Sequence, residues 1–327
     1  MASSLQNEVH LPLIDISQFQ LELERGEPNE LQNHCSVTSV KEACKERGMF
    51  RLVNHAIPQN LLQHVESVSH QLFSMPPEAK ERAAACKAKN GYTKFPTNEV
   101  LVFNDLPNSN SIPEVCKKIW SLPDEETAAI CRETIETFAT AILDLAQTTN
   151  KIILASLGLD VDTFYRSDFK KNTGNLAINH YSCEGRICSE EAALPPHTDL
   201  CCFTILYQAN QEGLQIRSKE GKWLNVKPLS DSFVVFIGDC LKVWTNGIYH
   251  SADHRVVYSG WKDRISIALF INFLEQKEIW APAHLVDDED HKRLYRPFTL
   301  SQLLEEFVKS WGSTEPRSMF IDRFAGI

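Results

Sequence analysis

Arg264-Ile265-Ser266-Ile267-Ala268-Leu269-Phe270 decides how the second half of this chain folds. Successive side chains on a strand point to opposite faces. With that period Ile265, Ile267 and Leu269 pack against one layer, while Arg264, Ser266, Ala268 and Phe270 face the other way. A guanidinium with a hydroxyl two residues along the same face is built to hold a carboxylate through both of its oxygens.

Working outward from this stretch, Phe203–Tyr207, Leu214–Ile216, Trp223–Val226 and Phe233–Ile237 are further short β-prone runs separated by turn residues. Thr245-Asn246-Gly247-Ile248 reads as a tight hairpin, because Asn-Gly tolerates the positive φ angles of a type I′ turn. Many short strands with regular turns predict a sandwich or a closed barrel. Among them stand His197-Thr198-Asp199 and, farther on, His254. On a strand, residues 197 and 199 project the same way and can grip one ion together. Two imidazoles and a carboxylate, with no thiolate, suit a mononuclear non-haem Fe(II) with open coordination positions. Alone, an H-x-D triplet is usually a pair of surface polar residues, and a strand arginine is usually salt-bridged. Their order and β-patterned setting raise the reading above that. His250, four residues before His254, shares its parity, so alternation alone does not choose between the two.

The first half is richer in helices. Residues 36–47 open on Ser and Thr and stop at Gly48, as a capped helix does. After Pro58, Leu61, Leu62, Val65, Val68, Leu72 and Phe73 recur at helical spacing. From Asp124 to Leu157 a long helix carries the stripe Ile130, Ile135, Phe138, Ile142, Leu145 and Ile152, which we read as packing against the barrel rather than a partner coiled coil. Residues 107–113 read as a surface loop. The 327 residues carry a formal charge of −10, which argues against a nucleic-acid partner. The ten scattered cysteines read as reduced thiols, and adjacent Cys201 and Cys202 point to opposite faces rather than to one metal. Residues 1–5 lack the basic and apolar regions of a secretion signal, and no apolar run is long enough to span a membrane. A cytoplasmic protein, monomeric, is the expectation.

At this point the chain resembles the plant-type Fe(II)/2-oxoglutarate-dependent dioxygenases, an isopenicillin-N-synthase-like family. The resemblance runs nearly end to end. It is carried by Leu11-Pro12-Leu13-Ile14-Asp15, by residues 49–58 (MFRLVNHAIP) and by residues 73–80 (FSMPPEAK). Asn179-His180-Tyr181, His197-Thr198-Asp199, Phe203-Thr204-Ile205-Leu206, Gly213-Leu214-Gln215, Gly238-Asp239, Asn246-Gly247, His254-Arg255-Val256 and Arg264-Ile265-Ser266 follow in the family's order. His254-Arg255-Val256 resembles the family's ligand-bearing "HRV", which favours His254 over His250. His55 and His180 read as structural.

The resemblance implies a mixed α/β chain with a double-stranded β-helix (jelly-roll) core flanked by helices. It would be one oxygenase domain over residues 1–327, with a helix-rich part over 1–170 and the catalytic core plus a C-terminal helix over 171–327. His197, Asp199 and His254 would ligate Fe(II). Arg264 and Ser266, with a hydrogen bond from Tyr181, would hold 2-oxoglutarate as co-substrate. O2 would be consumed, ascorbate would support activity, and a small organic molecule would be hydroxylated with release of succinate and CO2. Desaturation or ring closure would use the same residues. Tyr92, Phe103, Cys201, His250, Phe270 and Phe273 are candidate walls of the substrate pocket. The local signatures of gibberellin 20-oxidases and flavonoid-modifying members are not seen; the region around Gly91-Tyr92 and His250 look more like the branch containing auxin dioxygenases and glucosinolate-related oxygenases, which suggests a plant hormone or specialised metabolite. One departure stands out: the family's usual "NYYPPC" is Asn179-His180-Tyr181-Ser182-Cys183-Glu184 here, without its proline pair. Two other readings remain open. One is a relative resembling aminocyclopropane-carboxylate oxidase, which uses the triad without 2-oxoglutarate; the other is a catalytically silent jelly-roll protein that binds a ligand.

Overall fold

The computed structural model describes residues 8–25, 34–84, 90–120, 125–183, 192–258, 262–286, 292–310 and 316–327, so residues 1–5, Asp124 and Glu184, read above, lie outside it. The first half contributes β1 (Leu13–Asp15), β2 (Met49–Val53), β3 (Gly91–Lys94) and β4 (Glu99–Leu106). From the second half come β5 (Thr173–Tyr181), β6 (Ala192–His197), β7 (Phe203–Tyr207), β8 (Leu214–Arg217), β9 (Trp223–Asn225), β10 (Phe233–Ile237), β11 (His254–Val257) and β12 (Arg264–Asn272). Eight of them form one sheet in the order β1-β2-β10-β7-β12-β5-β4-β3, and a second sheet runs β6-β11-β8-β9. Six of the ten pairings join strands that are not consecutive in sequence, as the crossovers of a double-stranded β-helix require. The helix-rich half therefore does more than cover the core: it supplies both flanks of the larger sheet.

Period two holds along β12. Ile265, Ile267, Leu269 and Ile271 join the cluster beneath the helices, whereas Ala268 and Phe270 join a second cluster with Met49, Leu206, Ile216, Val234 and Phe236. That second cluster draws on strands of both sheets, so the inward face of β12 looks into the barrel.

The helices of the first half are α1 (Ser17–Arg25), α2 (Cys35–Glu46), α3 (Gln59–Phe73), α4 (Pro77–Glu81), α5 (Ser111–Ile119), α6 (Glu125–Ser156) and α7 (Val161–Phe164). On α6 the residues Ile135, Phe138, Ile142, Leu145 and Ile152 are buried, but Ile130 is 55% exposed and lies off the stripe. Each such buried side chain contributes about 2 kcal/mol, which holds the helix to the sheet. Gly158 ends the turn after it at φ +74°. Three expectations change. His34, not a serine or threonine, caps α2, its Nδ1 accepting from the Ser36 amide at 3.2 Å. Only Pro107 to Asn110 of the expected loop lies outside regular elements, because α5 starts at Ser111. Asn246 and Gly247 do have positive φ (52° and 76°), but they follow helix α8 (Asp239–Trp244) and not a strand. The Gly247 amide donates to Lys242 O at 2.8 Å, so the pair closes a helix C-terminus.

On the helix-facing side a charged cluster ties β4 and β5 to α4. Lys80 Nζ lies 2.8 Å from Glu99 Oε1 and 3.0 Å from Phe73 O. His180 bridges Glu99 and Asp263 at 3.1 Å each while stacking on Phe73, and the Tyr92 hydroxyl donates to Glu99. Burial raises the Glu99 carboxyl, but bonds from His180, Lys80 and Tyr92 outweigh it and hold it at about 2. This folded value lies below the unfolded one, near 4.3. The stabilisation is therefore complete above about pH 4.3 and is lost as pH falls toward 2. Glu99→Leu should cost about 2 kcal/mol at pH 7, between the roughly 1 kcal/mol of an exposed pair and the roughly 3–5 kcal/mol of a broken buried one, because the cluster is partly open to solvent. Urea denaturation at pH 7 and pH 3 measures it; the deficit should shrink at the lower pH.

Candidate active site

β6 ends at His197 and β11 begins at His254, directly across the antiparallel register. His197 Nδ1 lies 2.8 Å from Pro195 O, and His254 Nδ1 lies 2.9 Å from Ala252 O. A carbonyl only accepts, so each Nδ1 carries the proton and each Nε2 keeps its lone pair. Both Nε2 atoms face one oxygen of Asp199, at 3.6 and 3.9 Å. The potential ligand atoms of the three residues lie within 4.8 Å of one another, a grouping of histidine, cysteine and acidic residues without parallel among the described residues. Burial first, and then the neighbouring His254, push the His197 imidazole down to about 4, so at neutral pH it is an uncharged donor. Phe236 stacks on His254 with ring centroids 4.5 Å apart.

Strand parity does not bring Asp199 to the histidines, because β6 stops at His197. A turn does. The Asp239 amide donates to Asp199 O at 2.7 Å and the Cys240 amide to Cys201 O at 3.1 Å. A Cβ on Gly238 would stand 2.2 Å from Cys201 O, so only glycine lets the backbones meet here. Thr198 donates its hydroxyl to the buried Asp239 carboxyl, which burial raises to about 7. Thr204, on β7, donates to Asp199 Oδ2 at 2.5 Å and leaves Oδ1 toward the histidines. Thr204, Gly238 and Asp239 were visible in the sequence as matches to the family's order, but no periodicity signals their bonds to this turn.

Arg264 and Ser266 begin β12, with Arg264 in register with Tyr181 and Ser266 with Asn179. Arg264 is 5% exposed, and its guanidinium lies over the Tyr181 ring, 5.2 Å from the centroid. Its Nη1 donates to Ser266 Oγ at 3.0 Å, but buried Nε and Nη2 have no partner among the described residues. Burial lowers the Arg264 pKa, as expected for a cation denied a counter-charge. Gly213, at φ +125°, makes room for it: a Cβ there would lie 3.2 Å from Arg264 Cδ. A buried fork with two free donors fits an incoming carboxylate.

The suggested pocket walls divide. Cys201 is buried and touches Thr204 at 3.4 Å, and Phe270 sits opposite Thr204 on the inward face. Tyr92, Phe103 and Phe273 belong to the cluster beneath the helices. For the strand residues the face decides: Leu101 and Phe103 point outward together, and Tyr92 is paired with Leu101. His250 lies on a loop, not a strand, and lines a surface cleft with Arg47, Arg217, Lys219 and Ser318. The parity question between it and His254 thus does not arise. His180 points away from the barrel, and His55 Nδ1 accepts from the Ile57 amide at 3.2 Å. The eight described cysteines are free thiols. No helix among the described residues is long and apolar enough to cross a membrane.

Residues 173–273 match the 2OG-Fe(II) oxygenase superfamily, and residues 11–101 match the family described as non-haem dioxygenase in morphine synthesis N-terminal. The chain belongs to the 2OG-Fe(II) oxygenase superfamily. Within it the chain is a 2-oxoglutarate-dependent dioxygenase that works with Fe(II). It is 30% identical over 309 residues to the probable 2-oxoglutarate-dependent dioxygenase AOP1 of Arabidopsis thaliana, spanning 92% of this chain and 98% of that one. It is also 30% identical to gibberellin 20 oxidase 1-D of Triticum aestivum, spanning 91% of this chain and 82% of the relative. The dioxygenase for auxin oxidation of rice superposes with a TM-score of 0.81 at 26% identity, covering 97% of this chain and all (100%) of that one.

Proposed function

We propose that His197, Asp199 and His254 hold the Fe(II), that Arg264, Ser266 and Tyr181 hold the distal carboxylate of 2-oxoglutarate, and that the enzyme hydroxylates a small organic molecule. The observation that carries this reading is the convergence of two lone-pair-bearing Nε2 atoms on one carboxylate oxygen. Bound together, iron and 2-oxoglutarate supply the oxidising chemistry, in which O2 and 2-oxoglutarate yield succinate, CO2 and an oxidised substrate. The Nδ1–carbonyl bonds fix how each imidazole presents its lone pair, and Thr204 fixes which Asp199 oxygen faces the ion. Arg264 and Ser266 orient the co-substrate by its far end, which leaves its keto acid end for the metal. Phe236 and Phe270 put apolar surface beside the triad and limit water there. Desaturation or ring closure would need only a different substrate pose.

Relatives named for auxin oxidation and for gibberellin 20 oxidation support a plant hormone or specialised metabolite as substrate. On this reading the protein serves plant metabolism in the cytoplasm, as a monomer, with ascorbate sustaining turnover. The test is an anaerobic titration of Fe(II) and 2-oxoglutarate followed by visible absorption. A weak charge-transfer band is expected, and small carboxylic and phenolic compounds are then screened for succinate release. Iron binding with no such band, and turnover that needs ascorbate but no 2-oxoglutarate, would overturn the reading.

A further inference from the structure

Gln208 is 4% exposed, yet neither its Oε1 nor its Nε2 has a hydrogen-bond partner among the described residues. Burying an unpaired carboxamide is costly, so such a group marks a place where something else belongs. The alternation of β7 says where it points. Phe203, Ile205 and Tyr207 pack beneath the helices; Thr204 turns inward to Asp199, and Leu206 joins the inward cluster. Gln208 follows the last residue of β7, and because Ala209 after it again packs beneath the helices, Gln208 continues the inward series one step past the strand's end. Across the sheet β12 pairs with β7 at Phe270↔Thr204, Ala268↔Leu206 and Ile267↔Tyr207. One step past the last rung, Gln208 comes level with Ser266, whose Oγ already accepts from Arg264. On the other side of Gln208 stands Ser232, the residue just before β10, whose Oγ accepts from the buried Arg51 at 2.9 Å. The far end of the barrel thus carries a polar band, and its unpaired members are Arg264 Nε and Nη2 and both ends of the Gln208 amide.

We propose that Gln208 is a further 2-oxoglutarate-binding residue: its amide N–H donates to the distal carboxylate beside Arg264 and Ser266. This rests on the reading of Arg264 given above. The ladder supports the division of labour. Thr204 and Phe270 stand level with the triad end and Gln208 and Ser266 four residues away, roughly 13 Å at 3.3 Å per residue, so one inward row runs from metal end to anchor end. An amide beside a guanidinium adds a directional donor without adding charge, which restricts the carboxylate to one rotation about its own axis.

The experiment compares two iron chelators bound to the Fe(II)-loaded enzyme without O2: 2-oxoglutarate, which has a distal carboxylate, and pyridine-2-carboxylate, which has none. Gln208→Met keeps the length and removes the donor. It should weaken 2-oxoglutarate by about tenfold to a hundredfold, the loss expected for a hydrogen bond to a charged group, while pyridine-2-carboxylate and Fe(II) bind as before. Gln208→Glu should weaken 2-oxoglutarate further by like-charge repulsion, and it decides the matter if the Met protein does not fold. Equal weakening of both chelators would make Gln208 merely structural, and unchanged 2-oxoglutarate binding would leave it without a role; either overturns the proposal. Arg264→Ala in the same assay separates the two readings. If it weakens 2-oxoglutarate and Gln208→Met does not, only the Gln208 assignment fails. If it does not, the Arg264 anchor fails first.

Discussion

Asp199→Ala should leave the fold intact and abolish turnover. The carboxylate is the one anionic member of the triad, and it sits where both Nε2 atoms converge. Losing an outer partner of a metal ligand typically costs about 10- to 100-fold in metal affinity, so losing the ligand itself should cost more than about 100-fold. His197→Ala should do the same by removing one of two neutral nitrogen donors. The measurement pairs Fe(II) affinity with succinate release at saturating 2-oxoglutarate, and circular dichroism reports the fold. Thr204→Val is the graded control, since it removes only the hydroxyl that holds Asp199 Oδ2. Wild-type turnover in the Asp199→Ala protein would end the ligand assignment.

Arg264→Ala should raise the apparent KM for 2-oxoglutarate by about thirtyfold or more. That follows from the roughly 2–5 kcal/mol lost when one partner of a buried, hydrogen-bonded charge pair is truncated. The effect on folding should go the other way. Arg264 is buried with two donors unpaired, so without co-substrate it costs stability, and the alanine protein should melt no lower than the parent. Arg264→Lys should recover little, because an ammonium cannot present the two-pronged fork. Titration with 2-oxoglutarate, beside thermal melts with and without it, separates these effects. An unchanged KM would sink the carboxylate-anchor assignment.

The sequence announces chemistry more readily than geometry. His197, Asp199, His254 and Arg264 stand out because their types are rare together and their order is fixed, and these properties survive without coordinates. Their backbone setting does not. Alternation places Asp199 beside His197, but the turn held by Gly238 and Asp239 brings it there. Asn246-Gly247 signals positive φ in both a hairpin and a helix end, so the local code cannot say which. Tyr92 and Phe103 are large and apolar on strands, and which face of β4 looks inward depends on its pairing with β5, about 70 to 80 residues away. Gln208 passes unnoticed because only burial shows that its amide is stranded.

The strands donated by the helix-rich half bear on how this enzyme can be handled. In the full chain β10 is flanked by β2, and β5 by β4. A fragment beginning at residue 171 would keep the triad and the anchor but strip both neighbours away. Two long rows of unpaired amides and carbonyls would then meet water, and β10, buried along its whole length, would be offered to any passing strand. Such a fragment should go into inclusion bodies rather than into solution. Size-exclusion chromatography of its soluble fraction, beside the full chain, would show whether the catalytic half can be crystallised, or engineered, on its own.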